Sequence, residues 1–324
     1  MSPPLPQSAA TIPPATLGSG GDAVVWPRGL AAAWADAAML VRPKIAVMVL
    51  ATVATAFWLT AGRPADPAML LWLLVGTGLV AASSSIANQI LERDSDRLMP
   101  RTAARPLAAG RLGVATAWLV TAALGLVGGV ICVSAGGWPA AAAAIATWLV
   151  YIVVYTPLKR LSPLNTAVGA VAGALPVAIG WLAADGPARL VGGDPKAAVA
   201  AAALAAVLYL WQFPHFMAIA WLYRRHYAAA GLKMLTVVDP SGLRAGGQAL
   251  AAALAMIPAS LALAVPSAGI RLFLAAALAA IVYALATVRF AIRRDDASAR
   301  VLLLTSLGSL LGLLTAAVVF GSPA

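Results

Sequence analysis

The chain is short of what a soluble protein of its length shows to water. Only 10% of its 324 residues are charged, against 62% hydrophobic. That leaves too little polar surface for a water-soluble domain and makes this an all-α, polytopic membrane protein. It has a single cysteine, Cys132, inside an apolar run, which excludes an intramolecular disulfide and any cysteine-based metal site. Acids are half as numerous as bases, 11 against 22, for a net charge of +11. Residues 1–27 hold no lysine or arginine, so they lack the basic region of a signal peptide and the arginines of a transit peptide. Rich in Pro, Ser, Ala and Gly, they read as a disordered cytoplasmic tail. Residues 28–324 then form one membrane domain.

Nine apolar stretches follow, at 44–62, 68–92, 112–134, 139–156, 164–184, 196–222, 245–266, 270–290 and 300–320, each near the roughly 20 residues a bilayer core requires. A short, mildly amphipathic helix over Leu30–Leu40 precedes Arg42-Pro43-Lys44, where proline starts the first span. With the N-terminus in the cytoplasm, 18 of the 22 lysines and arginines fall on the inner side; only Arg63, Arg189, Lys196 and Arg271 fall outside. That asymmetry fits the positive-inside rule and puts the C-terminus outside. The positive charge is therefore topology, and no nucleic-acid partner is expected.

The most densely charged stretch runs from Ser83 to Arg111, SSSIANQILERDSDRLMPRTAARPLAAGR. Asn88, Glu92 and Asp96 sit at i, i+4 and i+8; at about 100° per residue they span an arc of roughly 80°, one stripe of a continuous helix. Two carboxylates and an amide oxygen suit Mg²⁺, a hard ion that completes its shell with water and substrate phosphates. Asp94 projects from another face and joins them only if the helix ends or bends there. Arg93, Arg97, Arg101, Arg105 and Arg111 follow, and the planar guanidinium fork matches phosphate oxygens, so acids beside arginines read as a diphosphate site. A cytoplasmic loop obeying the positive-inside rule accounts for the arginines equally well. It does not account for Asn88 and the acids at helical spacing on a membrane helix end, where ionisable groups are costly.

Asn88 to Asp96, NQILERDSD, followed by Arg101-Thr102, Arg105-Pro106-Leu107 and Gly110-Arg111, resembles the first signature of the protoheme IX farnesyltransferases (heme O synthases), a branch of the UbiA-type membrane prenyltransferases. Two further segments match in order: YTPLKRLSPLN from Tyr155 with GAVAGALPVAIGW from Gly169, and WQFPHFMAIAWLYRRHYAAAGLKML from Trp211. The resemblance implies a nine-helix bundle with a central cavity opening near the cytoplasmic side of a bacterial inner membrane. Farnesyl diphosphate is bound there through Mg²⁺, and the farnesyl group is joined to a vinyl group of heme B. The product is heme O for heme-copper oxidase biogenesis, with a downstream heme-modifying enzyme as a further partner. On this resemblance Asn88, Glu92, Asp94 and Asp96 are the metal ligands. Lys159 and Arg160 clamp diphosphate or mark the membrane boundary. Asn165 binds substrate or caps a helix, and His215 meets heme or is an interior residue.

Two departures from the family pattern stand out. Glu92 occupies a position where aspartate is usual. The acidic pair that precedes the tyrosine after the sixth span is here Arg225 and His226. Arg224 and Arg225 then contact diphosphate directly, serve as ordinary boundary anchors, or mark a copy without activity. Other readings are a prenyltransferase for an aromatic quinone precursor or a chlorin, and a non-catalytic heme- or prenyl-lipid-binding paralogue. A transporter fits poorly, since few charges lie at mid-membrane.

Overall fold

The computed structural model describes residues 29–61, 66–267 and 269–321, and these are all-helical with no strand. The tail expected over 1–27 lies outside them. Helix α1 (Leu30–Val41) turns a corner on one residue into α2 (Pro43–Ala61): Arg42 is left-handed at φ 54°, and its N–H still donates to Ala38 O. Helix α3 (Pro67–Leu91) starts on Asp66, whose carboxylate accepts from the Ala68 N–H with Pro67 in first position. A one-residue break at Glu92 leads into α4 (Arg93–Arg97). Helix α5 (Val114–Leu149) runs through a π-helical turn, Val150–Tyr155, into α6 (Thr156–Leu161).

The next apolar stretch is split at Pro176, which cannot donate the amide hydrogen bond of a continuous helix, into α7 (Asn165–Ala174) and α8 (Pro176–Ala183). Helix α9 (Gly186–Val191) leads to α10 (Lys196–Leu222). The short α11 (Arg224–Ala229) and α12 (Leu235–Val238) lead to α13 (Leu243–Ala262), α14 (Ile270–Arg293) and α15 (Asp296–Phe320). A reciprocal capping box between Asp295 and Ser298 starts α15.

Eight of the described helices are long and apolar enough to cross a membrane. The expected count of nine differs from this at one element. The stretch Val114–Leu161 has 48 residues, about 72 Å if straight and more than twice a bilayer core. It is interrupted at Gly137, whose φ of 74° and ψ of 173° are not helical. The Ser83 hydroxyl donates to Thr121 O at 2.9 Å and accepts from Trp148 Nε1 at 3.2 Å. Residues before and after Gly137 therefore flank one point of α3, and the chain doubles back there.

Helix α3 packs so closely on α5 that backbones touch. A Cβ on Gly76 would stand 2.9 Å from Gly128 O, and one on Gly128 would stand 2.7 Å from Gly76 O. Small residues permit this approach in membranes, where dispersion packing rather than a hydrophobic drive holds helices together. Gly128→Leu should therefore lower stability by about 3 kcal/mol, the upper part of the usual overpacking range, because the backbone it meets cannot yield. An unchanged apparent melting temperature in detergent would contradict this. Span five behaves similarly: Gly173 faces the Gln212 side chain, and Gly180 faces the α2 backbone at Phe57. The main core lies among α10, α13, α14 and α15, around Val207, Met217, Met256, Tyr283 and Leu310. Leu119, Leu126, Leu278 and Leu304 lie exposed on the outside, as lipid contact requires.

Candidate active site

The charged residues that are buried converge at one end of the bundle, where α3 meets α4. Although the helix breaks at Glu92, the Glu92 N–H still donates to Asn88 O and the Asp96 N–H to Glu92 O, at 2.9 and 2.8 Å. The i, i+4, i+8 register survives, and Asn88, Glu92 and Asp96 are 0%, 8% and 1% exposed. Each oxygen-bearing side chain accepts from a cation brought by another part of the chain. Arg42 Nη1 donates to Asn88 Oδ1 at 3.2 Å, Lys159 Nζ to Glu92 Oε1 at 2.8 Å and Arg105 Nη1 to Asp96 Oδ2 at 2.6 Å. Asn88 Nδ2 donates to Thr156 Oγ1, which itself donates to Tyr151 O across the π-helical turn. That widened turn immediately precedes the residues α6 directs at α3, a placement typical of functional sites.

The opposite wall comes from the connection after α10. Arg101 lies over the Tyr223 ring at 4.7 Å and donates to the Tyr227 hydroxyl at 3.4 Å. Lys159 sits over Tyr155 at 4.4 Å. Met99, Tyr227 and Leu232 form a small apolar cluster of their own. The Lys233 N–H donates to Lys159 O at 2.8 Å, and Asn165 Nδ2 donates to Lys233 O at 3.2 Å. Asn165 thus ties this connection to α7, with its Oδ1 buried and unpartnered.

Several residues expected at the site stand elsewhere. Asp94 does not join the other three oxygens: its side chain is 75% exposed and paired with Arg93 and Arg97, because the break at Glu92 does not turn it inward. Arg97 also donates to Ala108 O, pinning the loop. Arg224 donates to Asp296 and Trp221 O and lies over the Trp221 ring, away from the cluster. Arg160 and Arg225 are exposed. His215 stacks on Trp211 at 4.5 Å, and its Nδ1 is 2.7 Å from Ser306 Oγ, between α10 and α15. Sequence reasoning missed Arg42, Thr156 and the tyrosines. Arg42 carried one usable signal, a cation at the membrane end shared with Asn88.

Burial pushes the Glu92 carboxyl up, but Lys159 with Arg42 and Arg105 outweighs it and holds Glu92 below its ordinary range. At Asp96 burial prevails over Arg105, and the nearby Glu92 adds to it, so that carboxyl is raised. Arg105 is lowered by burial and by the like charge of Arg42.

Among the described residues no group of three or more His, Cys, Asp or Glu is placed to hold a metal. Two carboxylates plus an amide oxygen remain, and Asp96 Oδ1 is buried with no hydrogen-bond partner. Hard oxygen donors with one unused buried oxygen fit Mg²⁺, which needs few protein ligands when phosphate supplies the others.

The UbiA prenyltransferase family profile matches residues 49–320. The chain belongs to the UbiA prenyltransferase family. Among UbiA-family relatives, a Rhodopirellula baltica protein named protoheme IX farnesyltransferase is 42% identical over 225 residues, 69% of this chain and 76% of that one. A Solibacter usitatus protein of the same name is 38% identical over 283 residues, 82% of this chain and 92% of that one. A solved structure of a UbiA homolog from Archaeoglobus fulgidus, bound to GPP and Mg²⁺, superposes with a TM-score of 0.65 at 18% identity, covering 87% of this chain and 99% of the other. At that identity the likeness is one of fold. This UbiA member is accordingly an all-helical, multi-pass membrane prenyltransferase.

Proposed function

We propose that the protein transfers the farnesyl group of farnesyl diphosphate to a vinyl group of heme B, with water completing the addition, to give heme O and diphosphate. The observation that carries this reading is the stripe of three buried oxygen-bearing residues, each facing a cation, on a chain whose relatives are named for that reaction. Ionising an allylic diphosphate leaves charge on the departing group, and catalysis consists largely of stabilising that charge and holding the allyl carbon at its acceptor. Asn88, Glu92 and Asp96 would hold Mg²⁺, which supplies Lewis-acid stabilisation of the leaving diphosphate. Lys159, Arg105 and Arg101 neutralise the remaining phosphate oxygens, while Tyr155, Tyr223 and Tyr227 form apolar walls beside the cations. The excess of lysine and arginine on this side supports an orientation with the charged end and the N-terminus in the cytosol of a bacterial cell and the C-terminus outside.

Membranes containing the protein, incubated with heme B, farnesyl diphosphate and Mg²⁺, should yield a heme carrying hydroxyethylfarnesyl by mass spectrometry. Recovery of unmodified heme alone overturns the reading. The basic Arg225 and His226 favour a non-catalytic binding paralogue as the second reading, and binding of both substrates without turnover would establish it. Prenylation of a quinone precursor or chlorin in place of heme would redirect the acceptor.

A pH effect follows from Asp96. A raised carboxyl takes up its proton at higher pH than an ordinary one near 4, so acidification removes a metal donor early. Glu92, held low, stays ionised through that window. Mn²⁺ affinity should fall on acidification above the ordinary carboxylate range, and Asp96→Asn should show a weak, flat profile. A wild-type affinity unchanged down to pH 4 would refute this.

A further inference from the structure

Two of the three cations on the stripe are hydrogen-bonded to carboxylates, and the third is hydrogen-bonded to an amide. Arg42 places a full positive charge, half-buried, against the neutral amide oxygen of Asn88. A guanidinium bonds far more strongly to an anionic oxygen than to an amide. Its position is nevertheless specified with care. The end of α1 is tied down because Leu40 O accepts from Ser85 Oγ at 2.6 Å and from Gln89 Nε2 at 2.9 Å, and Met39 O accepts from Gln89 Nε2 at 3.1 Å. Asp36 takes a two-pronged bond from Arg111 at 2.6 and 2.9 Å. Arg42 itself adopts the left-handed conformation, φ 54°, that L residues rarely take. The corner aims one cation at one neutral oxygen of the candidate metal stripe.

Resting on the metal and diphosphate reading of the same site, we propose that Arg42 couples the two ligands: it covers Asn88 Oδ1 until a divalent ion takes that oxygen, and then binds a diphosphate oxygen. With no diphosphate present, Arg42 opposes the ion twice, by occupying its donor and by like charge at short range. With diphosphate present, the guanidinium has a better partner and leaves the amide. The two ligands therefore help each other to bind, by the same factor in either order.

Removing Arg42 has a signature that a scaffold residue lacks. Mn²⁺ alone should bind Arg42→Gln about tenfold tighter than wild type, and inorganic pyrophosphate alone should bind about tenfold weaker, the scale of one hydrogen bond to a charged group. Arg42→Lys should keep the wild-type order of both affinities. The measurements use the full chain in detergent micelles, with Mn²⁺ followed by electron paramagnetic resonance and pyrophosphate by calorimetry. In the wild type, saturating pyrophosphate should tighten Mn²⁺ by at least about tenfold, within the usual range for coupled ligands, both species counted as free concentrations. That comparison needs no variant and stands even if Arg42→Gln fails to fold. Equal Mn²⁺ affinity with and without pyrophosphate, or a fall in both affinities in Arg42→Gln, overturns the role of Arg42 and leaves the metal reading intact. Wild-type protein that retains no Mn²⁺ even with pyrophosphate overturns both.

Discussion

Asp96→Asn is expected to lower heme O formation about 10²–10³-fold, the loss that follows when several kcal/mol of leaving-group stabilisation disappear. The substitution keeps the side chain's shape and an oxygen for Arg105 to bond, but it leaves that guanidinium without its buried counter-charge, so the rate is read only on protein shown to be folded. The Asp96 backbone carbonyl still accepts from Thr102 Oγ1 at 3.0 Å, and Arg105 can still donate to an amide oxygen. What vanishes is the negative charge and, with it, the donor strength of Asp96 Oδ1, a buried oxygen that has no partner. Initial rates of hydroxyethylfarnesyl heme formation, normalised to folded protein by size-exclusion chromatography, measure the effect. A rate within threefold of wild type would remove Asp96 from the ion's ligands. Asp94→Asn is the internal control. Its side chain stands outside with Arg93 and Arg97, so turnover should hold, although the same sequence stretch offered it as a fourth ligand.

The second large effect is on stability. Lys159→Met should cost about 3–5 kcal/mol, the penalty for removing one partner of a buried ion pair and leaving the other charge uncompensated. The pair is 12% and 11% exposed at its side chains, at 2.8 Å. Arg42 and Arg105 also act on Glu92 and soften the loss, which places it toward the lower end. The double variant Lys159→Met/Glu92→Gln should recover most of that stability, since the stranded charge is gone, and should remain inactive. Denaturant unfolding in mixed micelles reads both. A double variant as unstable as the single one would show that Lys159 matters through packing on Tyr155 rather than through Glu92.

The spans were legible because lipid imposes a local rule: a stretch long and apolar enough to cross must be helical, whatever it touches. The stripe was legible because Asn88, Glu92 and Asp96 depend only on helical period, which the hydrogen bonds across Glu92 preserve. Partner choice was not legible. Arg224 and Arg225 read alike in sequence, yet Arg224 is claimed by Asp296 at the start of α15, 72 positions away. Arg42 looked like one more boundary cation until the corner after α1 brought it onto Asn88. Which cation meets which oxygen is set by how distant helices pack, and no local periodicity encodes that. The turn at Gly137 was hidden differently: glycine with Pro139 marks a boundary, but one residue carrying the whole reversal is a backbone fact.

That reversal has a practical side. Because α5 folds back on a single glycine while its amides stay largely paired, the far tip of this hairpin offers no slack chain. A protease needs several residues it can pull straight, and an inserted reporter needs two free ends to join; neither is present around Trp138. Labels and fusion partners belong instead in the stretch 184–195, where the backbone already leaves regular helix twice.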